Sequence, residues 1–413
     1  MSETAGQVRR RRLIYIPGYD PIPPRRYREL YRKEGAAQGA ISGYDLALRP
    51  REAGGTYGWS VQARIEGGEV EAEVDVLVWS DIVQSSMAQS IPATYLQLIR
   101  TLWIYISTGA LRRLMRLRKG PVIAALYPVG MLLGQLALSG FAGWLAARAL
   151  FWILRLAGLD GLVIGWLSVG VGVIAAVSLL RLFKRLDHRI FAYYLMHDYA
   201  FSARWRGAHP PKQCARISEF ANHILLALTE GDADEVLVVG HSSGAHLAIS
   251  ALAQLFREGR LPAAQPPLAL LTLGQVVPMV SFLPDAHELR ADLHLLSAQE
   301  GISWVDVTAP GDGCAFALCD PVAVSGVAPD DQRWPLVLSA AFTQTLSPSR
   351  WRALRWRFFR LHFQYLCAFD RPGDYDYFRI TAGPQTLADR FKGRLPSKSR
   401  IVTPTSGYRE MTP

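Results

Sequence analysis

The sequence is poor in the features that organise disulfide-stapled or metal-built proteins. Its four cysteines, Cys214, Cys314, Cys319 and Cys367, form no C-x-x-C pair and no zinc-ligand spacing. A disulfide framework or zinc ribbon is therefore not expected, and free thiols in a reducing compartment are. Acidic residues are also few, 35 against 45 basic, for a formal charge of +10. Internal repeats are not evident. The N-terminus, "MSETAGQVRRRRLIYIPGYDP", has only a few apolar residues before Pro17, too short a run for a secretory signal. Its four arginines precede a strand and are read as a solvated or lipid-facing edge rather than a nucleic-acid arm.

Apolar residues, by contrast, are abundant. They make up 50% of the chain, against 19% charged, and the mean hydropathy is +0.11. Some segment must be far more hydrophobic than a soluble enzyme usually is. That segment runs from Pro121 to Leu180 and carries only Arg148, Arg155 and Asp160 as charges. A membrane-spanning helix needs about 20 apolar residues, so the block holds two, placed at about 122–145 and 161–181. "RALFWILRLAGLDG" then forms a short, partly interfacial turn. "RRLMRLRKG" precedes the first span and "RLFKRLDHR" follows the second, so positive charge gathers on the side shared by both outer ends. By the positive-inside rule that side is the cytoplasm. The segment 91–111, apolar on most faces, suits an interfacial helix.

On either side of this hairpin the pattern is that of an α/β protein. Strands are expected at 13–16, 73–79, 235–240, 268–274, 302–307 and 335–342, and residues 20–72 read as loops and short helices. Helices are expected at 188–206, 213–229, 245–258, 285–298 and 349–361. Short apolar strands separated by helices argue for a mostly parallel sheet with helices on both faces, interrupted by a two-helix transmembrane hairpin. The expected division is residues 1–120, the first part of the α/β domain; 121–183, the hairpin; 184–391, the rest of that domain; and 392–413, a polar mobile tail.

The chemistry centres on "VLVVGHSSGAHLAIS", where Ser242 stands between two glycines after an apolar strand and before an apolar helix. A bare G-x-S-x-G is weak, but strand–turn–helix is the setting that exposes a nucleophilic serine at a sheet's edge. The helix N-terminus beneath it favours a developing anion. An acid and then a histidine should follow. Asp312 in "WVDVTAPGDG" and Asp320 in "CDPV" are the candidate acids, while Asp306 lies within a strand. A capping role in a turn is the plain alternative for either aspartate. His362 in "LHFQYL" is the candidate base; His287 and His294 precede the acid, His246 reads as a packing residue, and His241 can line the pocket. The backbone N–H groups of Tyr19, in the strand-end turn "YIPGYD", and Ser243 are the candidate oxyanion donors.

Together these residues resemble the α/β-hydrolase superfamily, its intracellular lipase-like branches above all. "GHSSG" is similar to the lipase elbow, and "HFQYL" to the H-x-x-Y segment that holds the lipase histidine. A strand followed by "APGD" looks like the strand plus "HPYD" of DDHD-type phospholipases, favouring Asp312. "CDPVA" looks like the "DPVA" of the same motif, favouring Asp320; here "GCAFALC" splits the two halves. The resemblance covers about residues 10–20 and 230–370. It implies a Ser-His-Asp triad, an acyl-enzyme, and no metal or cofactor.

The function expected is a membrane-anchored serine hydrolase cleaving lipid or acyl esters, its catalytic domain facing the cytoplasm. The partner is the lipid bilayer. Nucleic acid is not expected, because the basic residues track the spans and the helix "SRWRALRWRFFR" looks amphipathic. The alternatives are a non-catalytic membrane protein that keeps the fold, or an acyltransferase using the same triad.

Overall fold

The computed structural model describes residues 7–51, 55–87, 89–230 and 232–412. It is an α/β structure built on one eight-stranded sheet. The strands are β1 (Arg10–Ile16), β2 (Asp45–Pro50), β3 (Gly58–Ile65), β4 (Gly68–Val76), β5 (Glu235–His241), β6 (Leu268–Leu273), β7 (Ser303–Thr308) and β8 (Leu336–Ser339). Their spatial order is β2-β3-β4-β1-β5-β6-β7-β8. From β4 to β8 every neighbouring pair is parallel, while β2 and β3 extend one edge antiparallel.

Sequence pattern explains the difference between the two ends of the sheet. Every residue of β5, "EVLVVGH", is buried, as a strand covered on both faces must be. Leu13, Tyr15, Leu237, Val239, Leu271 and Leu273 share a core with Tyr31, Phe342, Tyr365 and Phe378. The helix Gly244–Arg257 packs against β1, β5 and β6. In β3, "GWSVQARI", buried and more exposed residues alternate, so polar Ser60, Gln62 and Arg64 hide a strand that continuous apolarity would have revealed.

Residues 20–72 thus hold more order than loops and short helices. They form β2, β3 and an 18-residue helix, Arg25–Ser42, with Tyr27, Tyr31, Gly35, Gln38 and Gly39 on its buried face. Helix 349–361 is in fact two, Pro348–Leu354 and Phe358–His362. Three of the four N-terminal arginines, Arg10–Arg12, belong to β1 itself and are not simply a surface edge. Arg11 is fully buried, its Nε 2.6 Å from Glu235, with Nη1 and Nη2 donating to the Gly383 and Gln385 carbonyls. Arg12 pairs with Glu73, Asp75 and Glu230.

The chain divides into two compact units. The first comprises residues 1–85, 105–122 and 205–413 and contains the whole sheet. Its last segment, expected to be a mobile tail, is docked. Ile401 exchanges backbone hydrogen bonds with Leu318 and Asp320, Thr405 and Ser406 donate to Val324, and buried Arg290 donates to the Glu410 carbonyl. Backbone hydrogen bonding along a groove needs no apolar side chains, so composition alone does not reveal it.

The second unit comprises residues 86–104 and 123–204. The helices Lys119–Leu156, mostly in this unit, and Leu162–Arg185 are long and apolar enough to cross a membrane. Only 28% and 17% of their most apolar windows are buried among the described residues, whereas the core helix of a soluble fold is mostly buried. The first helix runs on through "RALFWILRL", expected to be part of the turn; nothing there breaks a helix before Gly158, at φ 80°. Where the two helices cross, a Cβ at Gly172 would lie 2.7 Å from the Gly143 carbonyl oxygen and 2.9 Å from Ala147 Cβ. Small residues let the backbones meet, as helix pairs in lipid require.

Candidate functional site

The strand order reverses around β1. The chain passes from β1 to one side through β2–β4, then returns to build β5–β8 on the other. In open α/β sheets the crevice beyond the carboxyl ends of the strands at such a point is where ligands bind. Ser242 follows β5 at this place, and the Pro17-Gly18 turn follows β1 beside it. A Cβ built on Gly18 would lie 3.0 Å from Ser242 Cβ and 3.4 Å from its Oγ.

The elbow is tight and strained. Ser242 sits at φ 56°, a left-handed conformation that a non-glycine residue holds at a cost of about 1–3 kcal/mol. Its N–H donates to the Leu273 carbonyl at 2.9 Å, and its own carbonyl accepts from Ala245 at 3.1 Å. A side chain at Gly244 would collide with the Ile16 carbonyl oxygen at 2.1 Å, so the helix start needs glycine to pass beneath β1. Ser243, at the N-cap of the helix Gly244–Arg257, has a backbone N–H with no acceptor among the described residues. Tyr19 is buried, its ring edge-on to Trp79 at 5.8 Å. Trp79 Nε1 donates to the Pro17 carbonyl, and Asp20 accepts from the Ile22 N–H and the Tyr27 hydroxyl. These bonds hold the turn next to the serine.

Asp312 and His362 meet directly. His362 Nδ1 lies 2.7 Å from Asp312 Oδ2, and both residues are buried. Asp312 also accepts from the Cys314 N–H at 2.9 Å and the Tyr365 hydroxyl at 3.1 Å. Burial alone would push its carboxyl up. The charge and hydrogen bond of His362, the Cys314 amide and the Tyr365 hydroxyl outweigh that and hold it below the usual carboxylate range. An ionised acid bonded to Nδ1 fixes the ring so that Nε2 is the free proton acceptor.

Asp320 goes elsewhere. Its Oδ1 accepts from the Val322 and Ala323 N–H groups as the N-cap of Pro321–Val324, and its Oδ2 from Gln332. Asp306 is fully buried on β7, bonded to the Thr272 hydroxyl at 2.6 Å, and burial pushes its carboxyl up to about 8. His287 contacts the Glu410 carbonyl, and His294 the Val327 carbonyl. His246 is buried and held down to about 3 by its burial and then by His209.

Two residues that the sequence marked only as pocket-lining (His241) and as the tyrosine of the H-x-x-Y segment (Tyr365) support the pair. His241 Nε2 donates to the His362 carbonyl at 3.0 Å, and its ring lies 4.9 Å from that of His362. Burial, then the neighbouring His362, lowers its pKa to about 3, so it is a neutral brace. Tyr365 accepts from the Ala309 N–H at 2.9 Å while donating to Asp312, tying the acid turn to the histidine loop. Neither Ser242 Oγ nor His362 Nε2 forms a hydrogen bond among the described residues. They stand over neighbouring positions: Ser242 is bonded to Leu273, and a Cβ at the next residue, Gly274, would lie 3.1 Å from His362 Cε1. Asp312, Cys314 and His362 also bring one donor atom each within 4.8 Å of one another, a spacing a soft cation can use. The Asp312–His362 hydrogen bond satisfies two of them without one.

No family model matches the chain, and neither a curated protein nor a solved structure is similar to it. The functional reading therefore rests on the geometry alone.

Proposed function

We propose that the chain is a membrane-anchored serine hydrolase of α/β-hydrolase type, cleaving lipid or acyl esters through Ser242, His362 and Asp312. The observation that carries this reading is a strained serine at the switch point of a mostly parallel sheet, directly after His241, whose ring lies against a buried histidine bonded through Nδ1 to Asp312. His362 Nε2 takes the proton of Ser242 Oγ, which attacks the ester carbonyl. The oxyanion is stabilised by the backbone N–H groups of Tyr19 and Ser243 and by the N-terminus of the helix Gly244–Arg257. His362 then protonates the departing alcohol, and water hydrolyses the acyl-enzyme by the same relay. In this reading the two apolar helices anchor the enzyme, and by the positive-inside rule their basic flanks favour a cytoplasmic sheet-bearing unit.

Labelling by a fluorophosphonate probe tests the nucleophile. Wild-type protein is expected to label and Ser242→Ala to lose labelling while unfolding at the same temperature. The missing hydrogen bond from Ser242 Oγ to His362 Nε2 is also what a non-catalytic descendant of this fold would show. Catalytic hydrogen bonds often tighten only once substrate binds. Folded wild-type protein that never labels would decide for the non-catalytic reading.

A further inference from the structure

The sequence "SRWRALRWRFFRLH" finds no use in the proposed chemistry until His362, its last residue. In the structure Arg352, Arg355, Arg357 and Arg360 are all exposed, and among the described residues none of the four pairs with an acid. Interleaved with them, Trp356 is 72% exposed and Phe358 44%. The Arg355 guanidinium lies 5.5 Å from the Trp356 ring centre. Concentrated like charge and uncovered aromatic rings are both unfavourable in water, and together they mark a surface awaiting an anionic, partly apolar partner.

The patch is built onto the site. Trp351 packs on Gly311, where a Cβ would come within 2.6 Å of its ring, and Phe358 lies 3.2 Å from a Cβ placed on Gly313. These two glycines flank Asp312. The same Gly313 is met by Gly120, whose Cβ position is 3.7 Å from Gly313 Cα. Gly120 belongs to the first turn of Lys119–Leu156, where that long apolar helix begins. Phe358 and Gly120, at the start of that apolar helix, therefore meet the same glycine. Tryptophan and arginine are the residues that settle at a bilayer's headgroup level.

We infer that Arg352–Arg360 is a docking surface for an anionic phospholipid bilayer, placed at the lip of the Asp312–His362 loop. Arginines bind lipid phosphates and carboxylates while Trp356 and Phe358 enter the headgroup boundary. A nucleic acid would meet the charge but not the apolar rings or the adjoining helix start. Docking stands apart from the proposed hydrolysis; its consequence, delivery of lipid esters to Ser242, rests on that reading.

The test uses the full chain in nanodiscs, with an environment-sensitive fluorescent residue substituted for Trp356. In discs containing phosphatidylserine its emission should shift to the blue and be quenched by brominated lipid. In pure phosphatidylcholine both effects should weaken. Each arginine near an anionic surface is worth about fivefold in binding, so a variant with R352Q, R355Q, R357Q and R360Q should lose the phosphatidylserine effect. All four side chains are exposed, so the fold should survive, as circular dichroism checks. Equal quenching with both lipids, an unchanged response in the quadruple variant, or a response to duplex RNA in place of the bilayer would each overturn the inference. If Ser242 proves active, the quadruple variant should lose turnover of a bilayer-embedded ester and keep that of p-nitrophenyl acetate. If Ser242 proves inert, the fluorescence outcome still decides the docking.

Discussion

Two stretches of similar apolar character end in opposite surroundings. β5 and the helix Gly244–Arg257 bury nearly all their residues within the sheet-bearing unit. The helix Leu162–Arg185 buries only Ile164, Ser168 and Gly172, leaving Leu162 84% and Trp166 75% exposed. Apolarity states that a residue avoids water; it does not state what replaces the water. In the first stretch the replacement is the rest of the chain. In the second none of the described residues supplies it, and hydrocarbon is a solvent that would remove the cost. Neither region satisfies every buried polar side chain: in the sheet unit Trp59 Nε1 and Asp306 Oδ2 have no hydrogen-bond partner among the described residues. In the sheet unit Arg290 is buried yet donates to the carbonyls of Ser281, Leu283, Pro284 and Glu410. In the hairpin unit the buried side chains of Gln135, Ser139 and Ser168 have no partner among the described residues. The backbones of that pair of helices approach closely at Gly143 and Gly172.

The sharpest division of labour is between Asp312 and Asp320 inside the first region. Replacing the acid of a Ser-His-Asp triad by asparagine lowers kcat by about four orders of magnitude. Asp312→Asn is therefore expected to abolish most ester turnover with little change in thermal midpoint. Asp320→Ala should keep the rate and lower stability by about 1 kcal/mol, the worth of a helix cap. Equal rate losses would show that the buried aspartates act only through the fold.

A second test asks whether the sheet's interior is as dry as its burial implies. Asp306, raised to about 8 by burial, stays protonated in the folded state, whereas an unfolded aspartate ionises near about 4. Between those values the folded state binds the extra proton, so stability is full below the lower value and falls as pH rises toward 8. Denaturation midpoints of wild type should drop from pH 5 to pH 8 relative to those of Asp306→Asn. Parallel curves would mean that water reaches this carboxyl.

The third test separates the two regions. Gly172→Leu should overpack the helix crossing against Gly143 and Ala147 and destabilise the hairpin by about 1–3 kcal/mol, read as a lower unfolding midpoint in detergent. Turnover of a water-soluble ester should be unaffected. A matching loss of rate would show that the hairpin shapes the proposed site instead of only anchoring it.

Much of this arrangement was legible along the chain because it follows local periodicity. The parallel strands are short apolar runs, the two long helices are uninterrupted apolar segments, and the Ser242 turn is marked by glycines demanded by close backbone approach. β2 and β3 were not legible, because strands at the antiparallel end of the sheet bury at most one face, and in β3 Ser60, Gln62 and Arg64 fill the other. The docked C-terminal segment was hidden for a related reason: it is held by backbone hydrogen bonds, which any side chain permits.

The candidate site divides along the same line. Sequence by itself determined the residue types, their order and the strand–turn–helix setting of Ser242, since these depend on neighbours a few positions away. Only the tertiary structure chose between Asp312 and Asp320, each followed by a short turn and each able to cap one. It brought Asp312 to within 2.7 Å of His362, fifty residues on, and turned Asp320 toward its own helix. It also made His241 and Tyr365 braces of that pair. Contacts between residues far apart in the chain leave no local period to read, because they exist only once the sheet has set its strand ends side by side.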